Sequence, residues 1–323
     1  MIIYEKHGPN YKKLEYKPGM EVSEKPVWID ILNMTNEEEK FVENLLNIDV
    51  PSKEEEMTIE LSNRLYYKYN SVYMTISLIN KSESGEYQMQ DCIFILTEST
   101  LVTVRYCDPL SFKNVLATLA PDPHVKNHSL HTFSKLIDEI INNIASAMET
   151  RANNIKEMTR NVFSQNNDEQ KKQMDLSATI INIGTENEKI SQYGESMVSL
   201  SRMISFILQS PVIKLEESIR SELKVHSSDI SALNDYAAFL SDKIDFLLSA
   251  TLGLINLQQN NIIKMFSAAT MIFLTPTLIA SIYGMNFSFM PELNWWFGYP
   301  LSLLLMILTS VIPYGYFKTK KWL

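Results

Sequence analysis

The sequence predicts an α/β cytoplasmic head followed by a very long stalk helix that continues into the first of two C-terminal transmembrane helices. Three observations predict it. Charge is almost confined to the first 263 residues, short β-branched and aromatic runs crowd the first 110, and a helical pattern without proline leads from Val212 into an uncharged segment.

The head comes first. KPVWIDIL (25–32), NSVYMTISLI (70–79), QDCIFILT (90–97) and TLVTVRYC (100–107) are short runs of strand-forming residues bounded by polar turns. The last two predict a hairpin turning at Glu98–Ser99, although neither Gly nor Asn supplies the usual turn chemistry. Thr35–Asn36–Glu37–Glu38 reads as a capping box opening a helix over residues 36–47.

From Ser129 the spacing of apolar residues turns helical, and a second helix is expected over 171–209. Between Pro211 and Pro276 there is no proline, and Gly253 alone interrupts the pattern. A helix from Val212 to Tyr283 would be about 108 Å long at 1.5 Å per residue, far beyond the thickness of a bilayer. The expected divisions are therefore 1–128 (head), 129–264 (helical region and stalk), 265–283 (first span), 284–294 (loop), 295–317 (second span) and 318–323 (basic tail).

Both spans are uncharged and long enough to cross a hydrocarbon core of about 30 Å. Trp295, Trp296 and Tyr299 mark one interface, and Tyr314, Tyr316 and Trp322 the other. The intervening loop lacks Lys and Arg, whereas the tail KTKKWL has three lysines, so the positive-inside rule predicts cytoplasmic N- and C-termini. MIIYEKHGPNYKKLEY has no long apolar core, so no secretory signal is expected.

Charge narrows the partners. Of 29 basic residues only Lys264 and three tail lysines lie beyond residue 263, and of 38 acids only Glu292 does, so residues 1–263 carry a net charge of −12. Such a surface attracts cations and disfavours nucleic acid. Cys92 and Cys107 are the only cysteines and have no metal-binding spacing; two thiols in a long chain suit a reducing compartment.

Steps of three and four residues from Asn260 pick out Ile263, Ser267, Thr270, Leu274, Thr277 and Ser281 along one helical face. Five of the seven are small or polar. Small polar residues also serve as packing points between membrane helices. Continuity from the stalk to the loop favours a pore lining, with Ile263 and Leu274 as apolar constrictions, and a pore requires several copies around an axis. Met265, Phe266, Ile272, Phe273 and Ile279 lie off that face and suit lipid or neighbouring helices. Pro276 leaves the carbonyl of Ile272 without its helical donor, to be met by a neighbour, a water or a Thr hydroxyl such as those of Thr275 and Thr277. A simple kink and a gating hinge are both open at this point.

At the end of the stripe Gly284 is expected to stop the helix in a left-handed conformation. Asn286 follows at the mouth. A ring of its carboxamides would bond to the water around an ion rather than to the ion itself, which suits Mg²⁺, a metal reluctant to dehydrate. Glu292 is the loop's one charge; it either concentrates cations or makes a local salt bridge.

Tyr283–Gly284–Met285–Asn286–Phe287, then Met290–Pro291–Glu292–Leu293 and Gly298–Tyr299–Pro300, resemble the signature of the CorA metal ion transporter family. Tyr316–Phe317–Lys318, Lys321–Trp322–Leu323 and Val27–Trp28–Ile29–Asp30 are similar to that family as well. The resemblance implies a funnel-shaped homopentamer in a bacterial inner membrane, carrying Mg²⁺ and Co²⁺, with Ni²⁺ a further candidate. It implies an outer selectivity ring of Gly284, Met285 and Asn286, a polar pore ring at Thr277, and constrictions at Leu274 and Asn260. Where some members carry a stalk Asp in a magnesium-sensing site, this chain has Val225, so no regulatory metal site is assigned.

His124, His128 and His131 share i, i+4, i+7 spacing, but with no acid or Cys beside them they read as solvated residues at a helix start. The acidic runs Glu37–Glu39 and Glu54–Glu56 read as exposed faces. No phosphate loop, GxSxG or HExxH is present, so the reading is a transporter and not an enzyme, with no cofactor apart from Mg²⁺ as cargo and possible regulator. The expected function is influx of hydrated Mg²⁺ driven by the membrane potential. The alternatives are a zinc or other divalent-cation transporter on the same scaffold, or a non-conducting membrane-anchored sensor.

Overall fold

A computed structural model describes the 323-residue chain except for residues 8, 9, 21, 23–25, 55–63, 82–86, 120–127, 164–168, 287, 289, 321 and 323. The side chains of 7, 10, 81, 87, 169–175, 292 and 293 also lie outside the description. Two compact units divide it: residues 1–165 with 179–246, and residues 166–178 with 247–323.

The first unit is built on a seven-stranded sheet. Its strands are β1 (Ile2–His7), β2 (Asn10–Glu15), β3 (Pro26–Leu32), β4 (Leu65–Lys68), β5 (Ser71–Lys81), β6 (Tyr87–Leu96) and β7 (Leu101–Arg105), in the order β2-β1-β3-β7-β6-β5-β4. β3 and β7 run parallel and every other pair is antiparallel. The four strands expected from sequence are all present. β1, β2 and β4 are additions, and each lies at or next to an edge of the sheet, where alternating charges such as those of NYKKLE blur the apolar signal.

The β6–β7 hairpin turns where expected, with hydroxyls in place of glycine chemistry. Thr97 N–H donates to the Thr100 carbonyl at 2.9 Å, and Thr100 N–H donates to Thr97 Oγ1 at 2.9 Å. Helix α1 (Asn36–Leu46) opens on the expected capping box: Glu38 N–H donates to Thr35 Oγ1, and Thr35 N–H donates to Glu38 Oε2 at 3.0 Å. Glu37 is exposed, but Glu38 and Glu39 are half-buried, so that acidic run is only partly a solvated face. Glu54 is exposed, while Glu55 and Glu56 lie outside the described residues.

The central strands are covered on both faces, which is why β7 and nearly all of β3 are buried. On one face Ile3, Ile29, Ile31, Tyr73, Ile95 and Val104 pack with Val42 of α1. On the other, Phe94 meets Phe112 of α2 (Leu110–Thr118) and Phe133 of α3 (His128–Phe163), with ring centroids 6.2 and 6.1 Å apart. This second layer corrects the reading of the histidines. His128 and His131 are buried, not solvated. His128 Nε2 accepts from Lys6 Nζ at 2.7 Å, because the start of α3 lies against β1 and not in water. His124 lies outside the described residues.

Helix α4 (Glu169–Leu208) matches the expected second helix. Helix α5 (Glu217–Tyr283) begins five residues later than Val212, because Ser210 Oγ accepts from the N–H groups of Val212 and Ile213 and holds them in a turn. It then continues for 67 residues without a break. The thiols of Cys92 and Cys107 are buried, with their sulfurs 3.9 Å apart, too far for a disulfide bond.

The second unit contains the C-terminal part of α5, a 3₁₀ turn at Pro291–Asn294 and helix α6 (Gly298–Thr319). The second helix starts at Gly298 and not at Trp295, leaving Trp295 and Trp296 ahead of it.

Candidate functional site: a polar stripe on α5 and the loop at its end

The apolar segments of α5 and α6 are only 6% and 11% buried, unlike the core hairpin of a soluble fold. Phe266, Phe273, Leu278, Leu304, Ile307 and Ile312 all stand exposed, as lipid-facing side chains do. Trp296 and Tyr299 are exposed around the start of α6, while Phe317 stacks on Trp322 at its other end with centroids 5.3 Å apart.

Asn260, Ile263, Ser267, Thr270, Leu274, Thr277 and Ser281 lie on the face opposite the one that α6 covers. Asn260, Ile263, Ser267, Thr270, Leu274, Thr277 and Ser281 are all exposed. On the other side of the helix Ala268 is fully buried, and Ile272, Thr275, Pro276, Ile279 and Tyr283 are half-buried. At 100° per residue the two sets are centred roughly 160° apart. Ser310 of α6 reaches the covered side, donating from Oγ to the Ile272 carbonyl at 3.3 Å. The second span therefore packs behind the stripe and leaves it open.

The two threonine hydroxyls of the stripe donate back to their own helix. Thr270 Oγ1 donates to the Phe266 carbonyl at 2.9 Å, and Thr277 Oγ1 to the Phe273 carbonyl at 2.7 Å. Each of these oxygens uses its one proton on its own helix and is left with acceptor capacity on the open face.

The α5 terminus departs from expectation at Gly284. Its φ is not positive; among the described glycines only Gly19 has a positive φ. Gly284 N–H still donates to the Ala280 carbonyl at 2.9 Å and Met285 N–H to the Ile282 carbonyl at 3.3 Å, so the helix tightens at its last turn instead of reversing. A side chain at 284 would meet the Ala280 carbonyl oxygen at 3.2 Å, a tight contact, so closeness and not handedness favours glycine here. Met285 and Asn286 follow, both exposed. Pro291–Glu292–Leu293–Asn294 forms the 3₁₀ turn, and the Glu292 side chain lies outside the description.

Sequence reasoning misses the partner of Ile272, because Ser302, Thr309 and Ser310 make no single stripe on α6. A serine at the depth of a proline-freed carbonyl on an antiparallel helix is the available signal. Val225 is exposed on α5 in the first unit. Among the described residues no group of three or more His, Cys, Asp or Glu is placed to hold a metal.

Comparison with known proteins agrees with the motif. Residues 23–320 match the profile of the family described as CorA-like Mg²⁺ transporter protein. The magnesium transport protein CorA of Wolinella succinogenes is 30% identical over 301 residues, covering 92% of this chain and 91% of the relative. That of Escherichia coli K12 is 29% identical, covering 92% of each. In fold, the chain is similar to the complete CorA magnesium transporter of Methanocaldococcus jannaschii, with a TM-score of 0.76 at 17% identity, covering 100% of this chain and 98% of that one. It is also similar to the ZntB cytoplasmic domain of Vibrio parahaemolyticus, with a TM-score of 0.60 at 11% identity over 79% of this chain and 98% of that one. Motif, two membrane-crossing helices, fold and profile converge: the chain belongs to the CorA-like Mg²⁺ transporter family, a family of transporters and not of enzymes.

Proposed function

We propose that this chain forms a passive channel for hydrated Mg²⁺, with α5 lining the pore of a homopentamer in a bacterial inner membrane. The observation that carries the reading is the open stripe on the side of α5 away from Ser310. Copies arranged around an axis cover that face with one another and enclose the acceptors. Asn260, Leu274 and Thr277 then form successive rings, with Ile263 and Leu274 as apolar constrictions that close by dewetting.

At the mouth, Gly284, Met285 and Asn286 form the selecting ring. Carboxamide oxygens accept hydrogen bonds from the water around Mg²⁺, so the ion need not shed its shell. Glu292 raises the local cation concentration. With both termini in the cytoplasm, an inside-negative potential supplies about 2.3 kcal/mol per charge per 100 mV, and twice that for a divalent ion, so no fuel site is needed. Co²⁺ and Ni²⁺ pass by the same outer-shell contacts, and Mg²⁺ acting on the acidic head is the candidate regulator.

Purified protein in liposomes loaded with a magnesium-reporting dye tests this. An imposed inside-negative potential should drive Mg²⁺ entry. Entry of Zn²⁺ but not Mg²⁺ selects a zinc transporter on the same scaffold. No entry of any divalent ion selects a non-conducting anchored sensor.

A further inference from the structure

Pro276 has no N–H, so the Ile272 carbonyl loses its helical donor in the middle of an apolar span. Most hydroxyls of the two spans donate back to their own helix: Thr270 to Phe266, Thr275 to Met271, Thr277 to Phe273, Ser302 to Tyr299 and Thr309 to Leu305. Ser310 does not. Its hydroxyl crosses to the other helix and meets the one carbonyl that Pro276 has freed on the covered face of α5.

We propose that Ser310 is a positioning residue for ion passage: its hydrogen bond to Ile272 draws the proline-interrupted segment of α5 toward α6 and so sets the width at Leu274. The proposal rests on α5 being the pore helix. Leu274 is two residues from Ile272 and exposed on the opposite side of the same turn. A pull toward α6 is therefore a pull away from the pore axis. Losing it lets the segment settle inward, and the apolar ring narrows.

The bond matters only while Pro276 is present. In Pro276→Ala the new backbone N–H takes the Ile272 carbonyl, and Ser310 has nothing to supply. This makes a double-mutant cycle decisive. Ser310→Ala should lower Mg²⁺ influx about two- to tenfold, the range that a net hydrogen bond commands, and should lower Tm in detergent. Ser310→Thr, which keeps the hydroxyl, should restore both. In the Pro276→Ala background Ser310→Ala should change neither influx nor Tm. Equal losses in the two backgrounds overturn the proposal while leaving the channel reading intact. Wild-type protein that passes no Mg²⁺ overturns the channel reading and the proposal with it.

Discussion

Arg105 grips the Asp30 carboxylate with two nitrogens: Nη2 stands 2.8 Å from Oδ2 and Nε 3.0 Å from Oδ1, with both side chains buried. Asp30 Oδ1 also accepts from Thr103 Oγ1 at 2.8 Å, and Trp28 Nε1 donates to that same Thr103 oxygen at 2.9 Å. The four residues lie on β3 and β7, the one parallel pair of the sheet, and the Arg105 guanidinium sits over the Phe112 ring. The Val27–Trp28–Ile29–Asp30 segment is thus a structural lock for the parallel pair.

Asp30→Ala should therefore remove the fully buried partner of the Arg105 guanidinium and leave it only the partly exposed Asp108 carboxylate and the Cys107 carbonyl, at a cost of about 3–5 kcal/mol. Amide hydrogen exchange in β3 and β7 of the full chain measures it. Protection within about tenfold of wild type, equivalent to about 1.4 kcal/mol, would sink the claim.

Acid should weaken the same region through Asp108. Burial alone would raise this carboxyl, but hydrogen bonds from Lys113 and Arg105, with their positive charges, outweigh it and hold the group below its ordinary value. A carboxyl depressed in the folded state stabilises above the unfolded range, near about pH 4, and that stability is lost as pH falls through the folded value. Asp108→Asn should lower stability at about pH 7 and flatten its fall below about pH 4. An unchanged pH profile of thermal unfolding in the variant would refute the assignment.

Asn286→Ala should reduce Mg²⁺ influx in liposomes by about tenfold or more while the oligomer stays intact in size-exclusion chromatography, because the residue is exposed and outside the packed helices. Normal influx through the alanine variant would remove Asn286 from the selecting ring.

Glu292→Gln should be milder. Influx should fall mainly at low external Mg²⁺ and low ionic strength, where a field effect is least screened. Equal loss at saturating Mg²⁺ would make Glu292 structural.

With Cys92 and Cys107 replaced, single cysteines at Ser267, Thr270, Thr277 or Ser281 should react with a water-soluble thiol reagent at least about tenfold faster than cysteines at Ile272 or Ile279, since the thiolate forms only where water reaches it. Added Mg²⁺ should slow the stripe positions if bound ions favour a closed pore. Labelling at 272 and 279 with protection at the Ser and Thr positions would reverse the assigned face.

Much of this protein was determined by sequence alone, for a reason of scale. Helical periodicity running to Tyr283, the two uncharged spans, the capping box at Thr35 and the run of strand-forming residues around Trp28 are local patterns, visible wherever a chain must bury apolar side chains or satisfy its own backbone. The stripe on α5 was legible in the same way, because heptad spacing is a property of one helix.

What tertiary structure decided was every choice that depends on a partner distant in the chain. The burial of His128 and His131 follows from the packing of α3 beneath the sheet, and their i, i+3 spacing is silent on which side that packing falls. The end of α5 at Gly284 was set by a further i−4 hydrogen bond and a close carbonyl, so glycine's freedom to turn left-handed went unused. Pro276 announced a free carbonyl at Ile272, but only the approach of α6 selected Ser310, 38 residues on, to fill it. A hydrogen-bond vacancy can be read from one residue type; the group that fills it is fixed by where two helices meet.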